Sequence, residues 1–265
     1  MTPDAHEAAA QALLKAEATG EQIGLLSLAH PEIGMDDAYA IQTRLAAAKL
    51  AAGRRIVGWK IGLTSKAMQD ALGIDIPDSG ILFDNMDFAD SSIVPAGRFI
   101  APRVEAEIAF VMKAPLSGFV SRADVLAATD YVCPAIEILD TRITRRDPQT
   151  GRTRSVFDTI SDNAANGGFV LGPQQHDPDD VDLRWVGAIT SRNGVVEETG
   201  LGAGVLNDPV ESVVWLARRM AQYGQAIAPG HVVLSGSFIR PLECPPGTDI
   251  HADYGPFGAV SISFA

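Results

Sequence analysis

Three glutamates carry the strongest chemical signal in the chain. In RVEAEIAFVM, residues 103–112, side chains of an extended strand alternate, so Glu105 and Glu107 share one face while Val104, Ala106, Ile108 and Phe110 share the other. Like charges so placed repel unless a cation or a shared proton compensates them, and a divalent metal is the usual compensation. For this pair alone a solvated sheet face competes equally. Glu137 tilts the balance: in YVCPAIEIL it lies in a segment apolar on both faces and shares its own with Cys133, Ala135 and Leu139. An ionised carboxylate left unpaired there is costly or takes up a proton. Glu105, Glu107 and Glu137 together suit a hard cation, Mg²⁺ or Mn²⁺, with coordination positions open to water or substrate. The competing reading of Glu137 is an ion pair with an arginine, Arg103 being the candidate.

Lys60, in IVGWKIGLT, shares its strand face with Gly58 and Gly62, and glycines on either side clear space above a sheet. A lysine in a partly desolvated pocket serves as acid, base or anion clamp, whereas on an edge it guards against aggregation. Two polar stretches could complete a pocket. FDTISDNAANGG, residues 157–168, gathers Thr159, Ser161, Asp162, Asn163 and Asn166, and LSGSF, residues 234–238, sets Ser235 and Ser237 around Gly236. Short side chains and glycine let backbone N–H groups approach a carboxylate, although such sequences are more often simply turns. The five histidines show no paired spacing, which weighs against a histidine-ligated metal or a serine–histidine mechanism. A glycine-rich phosphate loop is also missing.

Helices and strands must hold these groups. Residues 2–52 read as two alanine-rich amphipathic helices with cap-like starts at Thr2-Pro3-Asp4 and Met35-Asp36-Asp37, the second ended by Gly53. Beyond Arg55, strands are expected at 56–63, 103–112, 131–139, 168–171, 184–192, 195–199, 231–234 and 259–264, with Asn193-Gly194 as a hairpin turn. Further helices are expected at 65–72, 121–129 and 209–223, the last opened by Asp208 and Pro209. Helices and strands do not alternate regularly, so a mixed, rolled α+β core is favoured over a doubly wound sheet.

The chain has 265 residues, 46% of them apolar, and a net charge of -12, so a large core is affordable and general attraction to nucleic acid or anionic lipid is disfavoured. Its N-terminus lacks the basic start and apolar run of a signal peptide, no stretch is long enough to span a membrane, and two distant cysteines indicate neither a disulfide framework nor a zinc site. A reducing cytoplasm fits. Within this acidic chain, residues 141–155 reverse the charge with arginines at 142, 145, 146, 152 and 154.

GWKIGLTSKAM, PDSGIL, PRVEAEIAFV, ATDYVCPAIEILD, SVFDTISDNAANGG, RNGVVEETG and LSGSF closely resemble the hydratase branch of the fumarylacetoacetate hydrolase superfamily, from about residue 20 to the end. The resemblance implies an α+β fold, a mixed β-roll over residues 55–265 with an N-terminal helical lobe over 1–54. It implies Mg²⁺ or Mn²⁺ on Glu105, Glu107 and Glu137, a catalytic lysine at Lys60 and a catalytic acid at Asp78 of the PDSG segment. Ser161, Ser235, Thr159 and Leu63 match positions that line the substrate pocket. The activity implied is a hydro-lyase of aromatic catabolism acting on a small unsaturated 2-oxo acid, in a higher homo-oligomer. Relatives in the branch include 2-hydroxypenta-2,4-dienoate hydratases and 4-oxalocrotonate decarboxylases; a non-catalytic partner subunit is the alternative outside enzymology. The arginine-rich stretch resembles the members acting on seven-carbon diacids of homoprotocatechuate catabolism, where a bidentate arginine would read the second carboxylate. His30-Pro31-Glu32 does not match the water-activating pair of the superfamily's hydrolases.

Overall fold

The computed structural model describes residues 1–66, 69–70 and 76–265. Residues 67, 68, 71 and 72 of the helix expected at 65–72 lie outside them.

Helix α1 (Pro3–Thr19) starts where the Thr2 hydroxyl accepts the Ala5 N–H, has Pro3 in its first turn, and stops at Gly20 in the left-handed region. After the single turn α2 (Leu26–Ala29), α3 (Met35–Ala51) packs on α1 through Ala10, Leu13, Ile41 and Leu45, with Ile143 from the later chain joining the cluster. The N-terminal amine and His6 both bond Asp37 at the start of α3, tying the two helices together.

The remaining elements form two sheets. In chain order they are β1 (Ile56–Gly62), β2 (Asp78–Phe83), β3 (Asp87–Phe88), β4 (Ser92–Val94), β5 (Arg103–Met112), α4 (Arg122–Ala128), β6 (Thr129–Leu139), α5 (Val156–Ser161), β7 (Asn166–Leu171), β8 (Gly187–Arg192) and β9 (Val195–Leu201). Then come α6 (Pro209–Gln222), β10 (Val232–Leu234), β11 (Leu242–Glu243), β12 (Thr248–Asp253) and β13 (Ala259–Phe264). The larger sheet runs β2-β1-β10-β5-β6-β7-β3, with β11 also on β5, and the smaller runs β4-β13-β12-β8-β9. Parallel and antiparallel neighbours mix: β1 runs parallel to β10, which is antiparallel to β5.

The larger sheet is coiled. β1 and β6 are three strand spacings apart, roughly 14 Å on a flat sheet, where perpendicular side chains would not meet. Lys60 of β1 nevertheless stands 3.2 Å from Glu137 of β6, because twist and coil turn the two strand faces toward each other. Tyr254, just after β12, fastens the smaller sheet to the larger by donating toward the carbonyls of Glu107 and Ala135 at 2.9 and 2.7 Å.

The strands expected at 103–112 and 259–264 match β5 and β13, and Asn193-Gly194 turns between β8 and β9 with positive φ at both residues. Strand β8 begins later than expected, because Leu183–Trp185 forms a 3-10 turn. Five strands were not expected, β2, β3, β4, β11 and β12. The first half of the stretch read as a polar loop is helix α5, capped by Ser155, whose hydroxyl accepts the Asp158 N–H.

Candidate metal centre

Strands β5 and β6 place the three glutamates. Glu105 lies directly opposite Glu137 in the ladder and Glu107 opposite Ala135, so the three side chains rise from one patch of one sheet face. One carboxylate oxygen from each lies within 4.8 Å of the others. Glu107 and Glu137 are fully buried and Glu105 partly so. Gly236 N–H donates to Glu107 Oε2 at 2.7 Å, and Asn166 Nδ2 donates to Glu137 Oε1 at 2.8 Å. Glu107 Oε1 and Glu137 Oε2 have no hydrogen-bond partner among the described residues. Buried acceptors left open in this way are where a cation fits.

Electrostatics point the same way. Burial and the charge of Glu137 push the Glu105 carboxyl up to about 8. Burial, with Glu137 and Glu105 adding to it, lifts Glu107 well above the carboxylate range. Burial raises Glu137 too, although Lys60 and Asn166 oppose it. The protein's own cation in the pocket is Lys60: burial disfavours its ammonium, but Glu137, Asp78, Glu105 and Glu107 outweigh that and raise its pKa. One lysine faces four acids, so the buried carboxyls hold on to protons unless a dication takes their place. Arg103 is not the partner of Glu137; it pairs with Glu243 at 2.7 Å, because it sits at the outer end of β5 beside β11.

Asp78 opens β2 opposite Gly62. A side chain at Gly62 would collide with Asp78 Oδ1 and crowd Lys60 Nζ, so the glycine is what lets both groups face the same space. Burial raises the Asp78 carboxyl against the pull of Lys60 and Arg154, and Asp78 Oδ1 is buried without a partner among the described residues. Lys60 Nζ also donates to the Ala164 carbonyl at 3.2 Å. That carbonyl is presented by three successive left-handed residues, Asn163, Ala164 and Ala165, with φ of 52°, 52° and 57°. Asn163 pins this turn to β2, its side chain accepting from Ile81 N–H and donating to Ile81 O at 2.8 and 2.9 Å.

Among the other expected pocket residues, Ser161 and Ser235 are fully buried, and neither hydroxyl has a partner among the described residues. The Thr159 hydroxyl instead bonds the Ser155 carbonyl within α5 at 3.1 Å. Leu63 follows β1 with a left-handed φ of 56°, and its carbonyl accepts from Gln69. The LSGSF segment does offer a backbone N–H to a carboxylate, that of Glu107. Asn166 and the Ala164 carbonyl carry contacts that no spacing rule shows.

The five arginines of residues 141–155 separate. Arg142 is buried on Asp162, while Arg145 and Arg146 bond the carbonyls of Ala101 and Gly151. Arg154 is half-buried, bonds the Thr141 hydroxyl at 2.7 Å, and its charge acts on Asp78. A cavity of about 730 Å³ lies elsewhere, lined by Tyr39, Trp59, Ser79, Ile81 and Arg219. Trp59, Ser79 and Ile81 alternate with Lys60, Asp78 and Gly80, so it opens on the opposite face of β1 and β2 from the carboxylates.

The coiled mixed sheet and the similarity to known proteins along its whole length show that the chain belongs to the hydratase and decarboxylase branch of the fumarylacetoacetate hydrolase superfamily. It is 50% identical over 260 residues to 2-oxo-hept-4-ene-1,7-dioate hydratase of Escherichia coli, covering 98% of this chain and 97% of that protein. It is 40% identical over 265 residues to 2-keto-4-pentenoate hydratase of Paraburkholderia xenovorans (strain LB400), covering 100% of this chain and 96% of that protein. The structure matches 4-oxalocrotonate decarboxylase from Pseudomonas putida G7, complexed with magnesium and adipate, with a TM-score of 0.93 and 34% identity over 100% of this chain and 99% of that one. No family model matches the chain.

Proposed function

We propose that the chain is a divalent-metal-dependent hydro-lyase that hydrates 2-oxohept-4-ene-1,7-dioate, by way of its 2-hydroxydiene tautomer and the conjugated 2-oxo-3-ene, to give 4-hydroxy-2-oxoheptanedioate. The observation that carries this reading is the trio Glu105, Glu107 and Glu137, the last two fully buried, with oxygens inside 4.8 Å and Glu107 Oε1 and Glu137 Oε2 unpartnered among the described residues, beside Lys60 and Asp78. The relatives supply the substrate class: the Escherichia coli protein is named for this diacid, and the decarboxylase structure holds magnesium with a dicarboxylate, adipate.

Mg²⁺ or Mn²⁺ held by the three glutamates would supply positive charge to the adjacent oxygens of a 2-oxo acid and lower the cost of negative charge developing on the 2-oxo oxygen. The chain's own residues move the protons. Ketonising the 2-hydroxydiene takes one proton from the enol oxygen and delivers one to C5; hydration then takes one from water arriving at C4 and delivers one to C3. Lys60 and Asp78, brought together over Gly62, are the two proton carriers. Ser161 and Ser235, buried with hydroxyls to spare, bind substrate oxygens. Of the five arginines, Arg154 is the one whose charge acts on Asp78, and it is the reader of the distal carboxylate. The hydrophobic side chains exposed on the edge strand β9, Val195 and Val196, favour assembly into a higher homo-oligomer.

The test is turnover by the purified chain with Mg²⁺ or Mn²⁺, following the hydroxylated product and carbon dioxide together. Hydration is expected, lost at least a thousandfold in Glu137→Gln with the fold intact by circular dichroism. The decarboxylase likeness favours one other reading, loss of carbon dioxide from a vinylogous 2-oxo acid. Stoichiometric gas release without hydroxylated product would establish it and end the hydratase proposal.

A further inference from the structure

We infer that Arg142 is a positioning residue of the carboxylate centre, its guanidinium holding both ends of the left-handed turn that brings Ala164 onto Lys60 and Asn166 onto Glu137. The inference rests on the reading of the three glutamates as metal ligands.

Arg142 is only 4% exposed, and its guanidinium and backbone N–H are engaged with the ends of that turn. Its Nη2 donates to the Asp162 carbonyl at 2.6 Å and its Nη1 to the Asn166 carbonyl at 2.9 Å, while Nε pairs with Asp162 Oδ1. Its backbone N–H donates to Asp162 Oδ2 at 2.9 Å. Between those two carbonyls lie Asn163, Ala164 and Ala165, all left-handed and none of them glycine. Left-handed backbone is disfavoured for both alanines and, less so, for the asparagine, so the run persists only where the surroundings over-determine it. Asn163 fixes the turn to β2 from one side and Arg142 fixes it from the other. A planar fork can reach two carbonyls and a carboxylate together, and a lysine cannot. A buried ion pair adds little stability over apolar packing, so one placed here is better explained by the conformation it specifies. What that conformation delivers is two contacts, Ala164 O on Lys60 and Asn166 Nδ2 on Glu137 Oε1, the second orienting the Glu137 carboxylate with Oε2 left open.

The test is calorimetric titration of the metal-free protein with Mn²⁺, which needs no catalysis. Arg142→Lys and Asn166→Ala should each weaken Mn²⁺ binding about ten- to hundredfold, the usual effect of removing support behind a metal ligand. Because both act on Glu137 through one path, the double variant should bind within about twofold of the weaker single variant. A purely structural role would lower the melting temperature of Arg142→Lys and leave its Mn²⁺ affinity unchanged; that result, or additive losses in the double variant, overturns the inference. Should Arg142→Lys not fold, Asp162→Asn weakens the same clamp while keeping its carbonyl contacts, and affinity equal to wild type in that variant overturns it likewise. Failure of the wild-type chain to bind Mn²⁺ removes the metal reading itself, and this inference with it.

Discussion

Raising the pH should destabilise the metal-free protein, and a divalent cation should reverse the trend. The folded Glu105 carboxyl is pushed up to about 8 by burial and by Glu137, from an ordinary 4.5. The native state therefore keeps a proton that the unfolded chain gives up. The stability this proton contributes is complete below pH 4.5, declines as the pH climbs toward 8, and is exhausted above that. Glu107 and Glu137 are raised as well and act in the same direction. For Glu105 alone the difference corresponds to about 5 kcal/mol as an upper bound, at 1.36 kcal/mol per tenfold change in proton affinity. Solvent reaches part of Glu105, so about 2 kcal/mol is the reasonable expectation, or a fall of about 4–8 °C in melting temperature for a chain of this size. The groups held below the usual carboxylate range, such as Asp37 beside the N-terminal amine, change charge below this window and do not mask it. Thermal unfolding with a chelator from pH 5 to 8 measures the slope, and Mn²⁺ at about a hundred times its dissociation constant should add about 2.7 kcal/mol. Because burial holds protons on these carboxyls, Mn²⁺ binding at pH 7 should release protons, read from calorimetry in two buffers of different ionisation heat. A metal-free melting temperature that holds steady or rises between pH 5 and 8, or binding without proton release, would refute the charge accounting.

Gly236→Ala should weaken Mn²⁺ binding at least tenfold and lower the melting temperature by a few degrees, since φ is 110° there and a methyl group would run into Thr64, drawing the N–H away from Glu107. Lys60→Met should split two properties: turnover falls about 10²–10⁴-fold, while Mn²⁺ affinity rises, because the ammonium competes with the cation for Glu137. Unchanged affinity would mean that the ion pair is no competitor. Arg154→Met should raise KM for the seven-carbon diacid about tenfold or more and leave the five-carbon monoacid, 2-hydroxypenta-2,4-dienoate, near wild type. Equal losses on both would make Arg154 a structural residue, whereas a wild type indifferent to chain length would count against the diacid assignment.

The three glutamates were legible as a candidate metal site because strand alternation is local. In β5 the period of two puts Glu105 and Glu107 on one face whatever the rest of the chain does, and an acid inside the apolar β6 is conspicuous without any knowledge of its neighbours. What could not be read was partnership across the sheet. That Lys60 rather than Arg103 meets Glu137 depends on strand order and coil, neither of which leaves a trace in IVGWKIGLT. Strand β2 was hidden because Pro77 and Gly80 in PDSGIL look like turn punctuation, yet Gly80 is there to clear room for the Asn163 carbonyl and the Lys60 side chain. Helix α5 is six residues long, too short for a 3.6-residue period to show, although Ser155 and Asp158 already had capping spacing. The arginine-rich stretch suggested that one arginine reads a second carboxylate, without saying which. Burial commits Arg142 to Asp162, and only the fold distinguishes it from Arg154.

Because all three acidic ligands ride on one antiparallel ribbon, β5 with β6, they form a cassette that other segments serve from outside. In the function proposed above, proton handling comes from β1 and β2, orientation from the turn before β7, and reach toward the far end of a substrate from the arginine-rich segment after β6. Selection can therefore remodel what is transformed by exchanging peripheral segments while the ribbon is inherited intact, and an engineer grafting loops between members should find that ion binding survives swaps that abolish turnover.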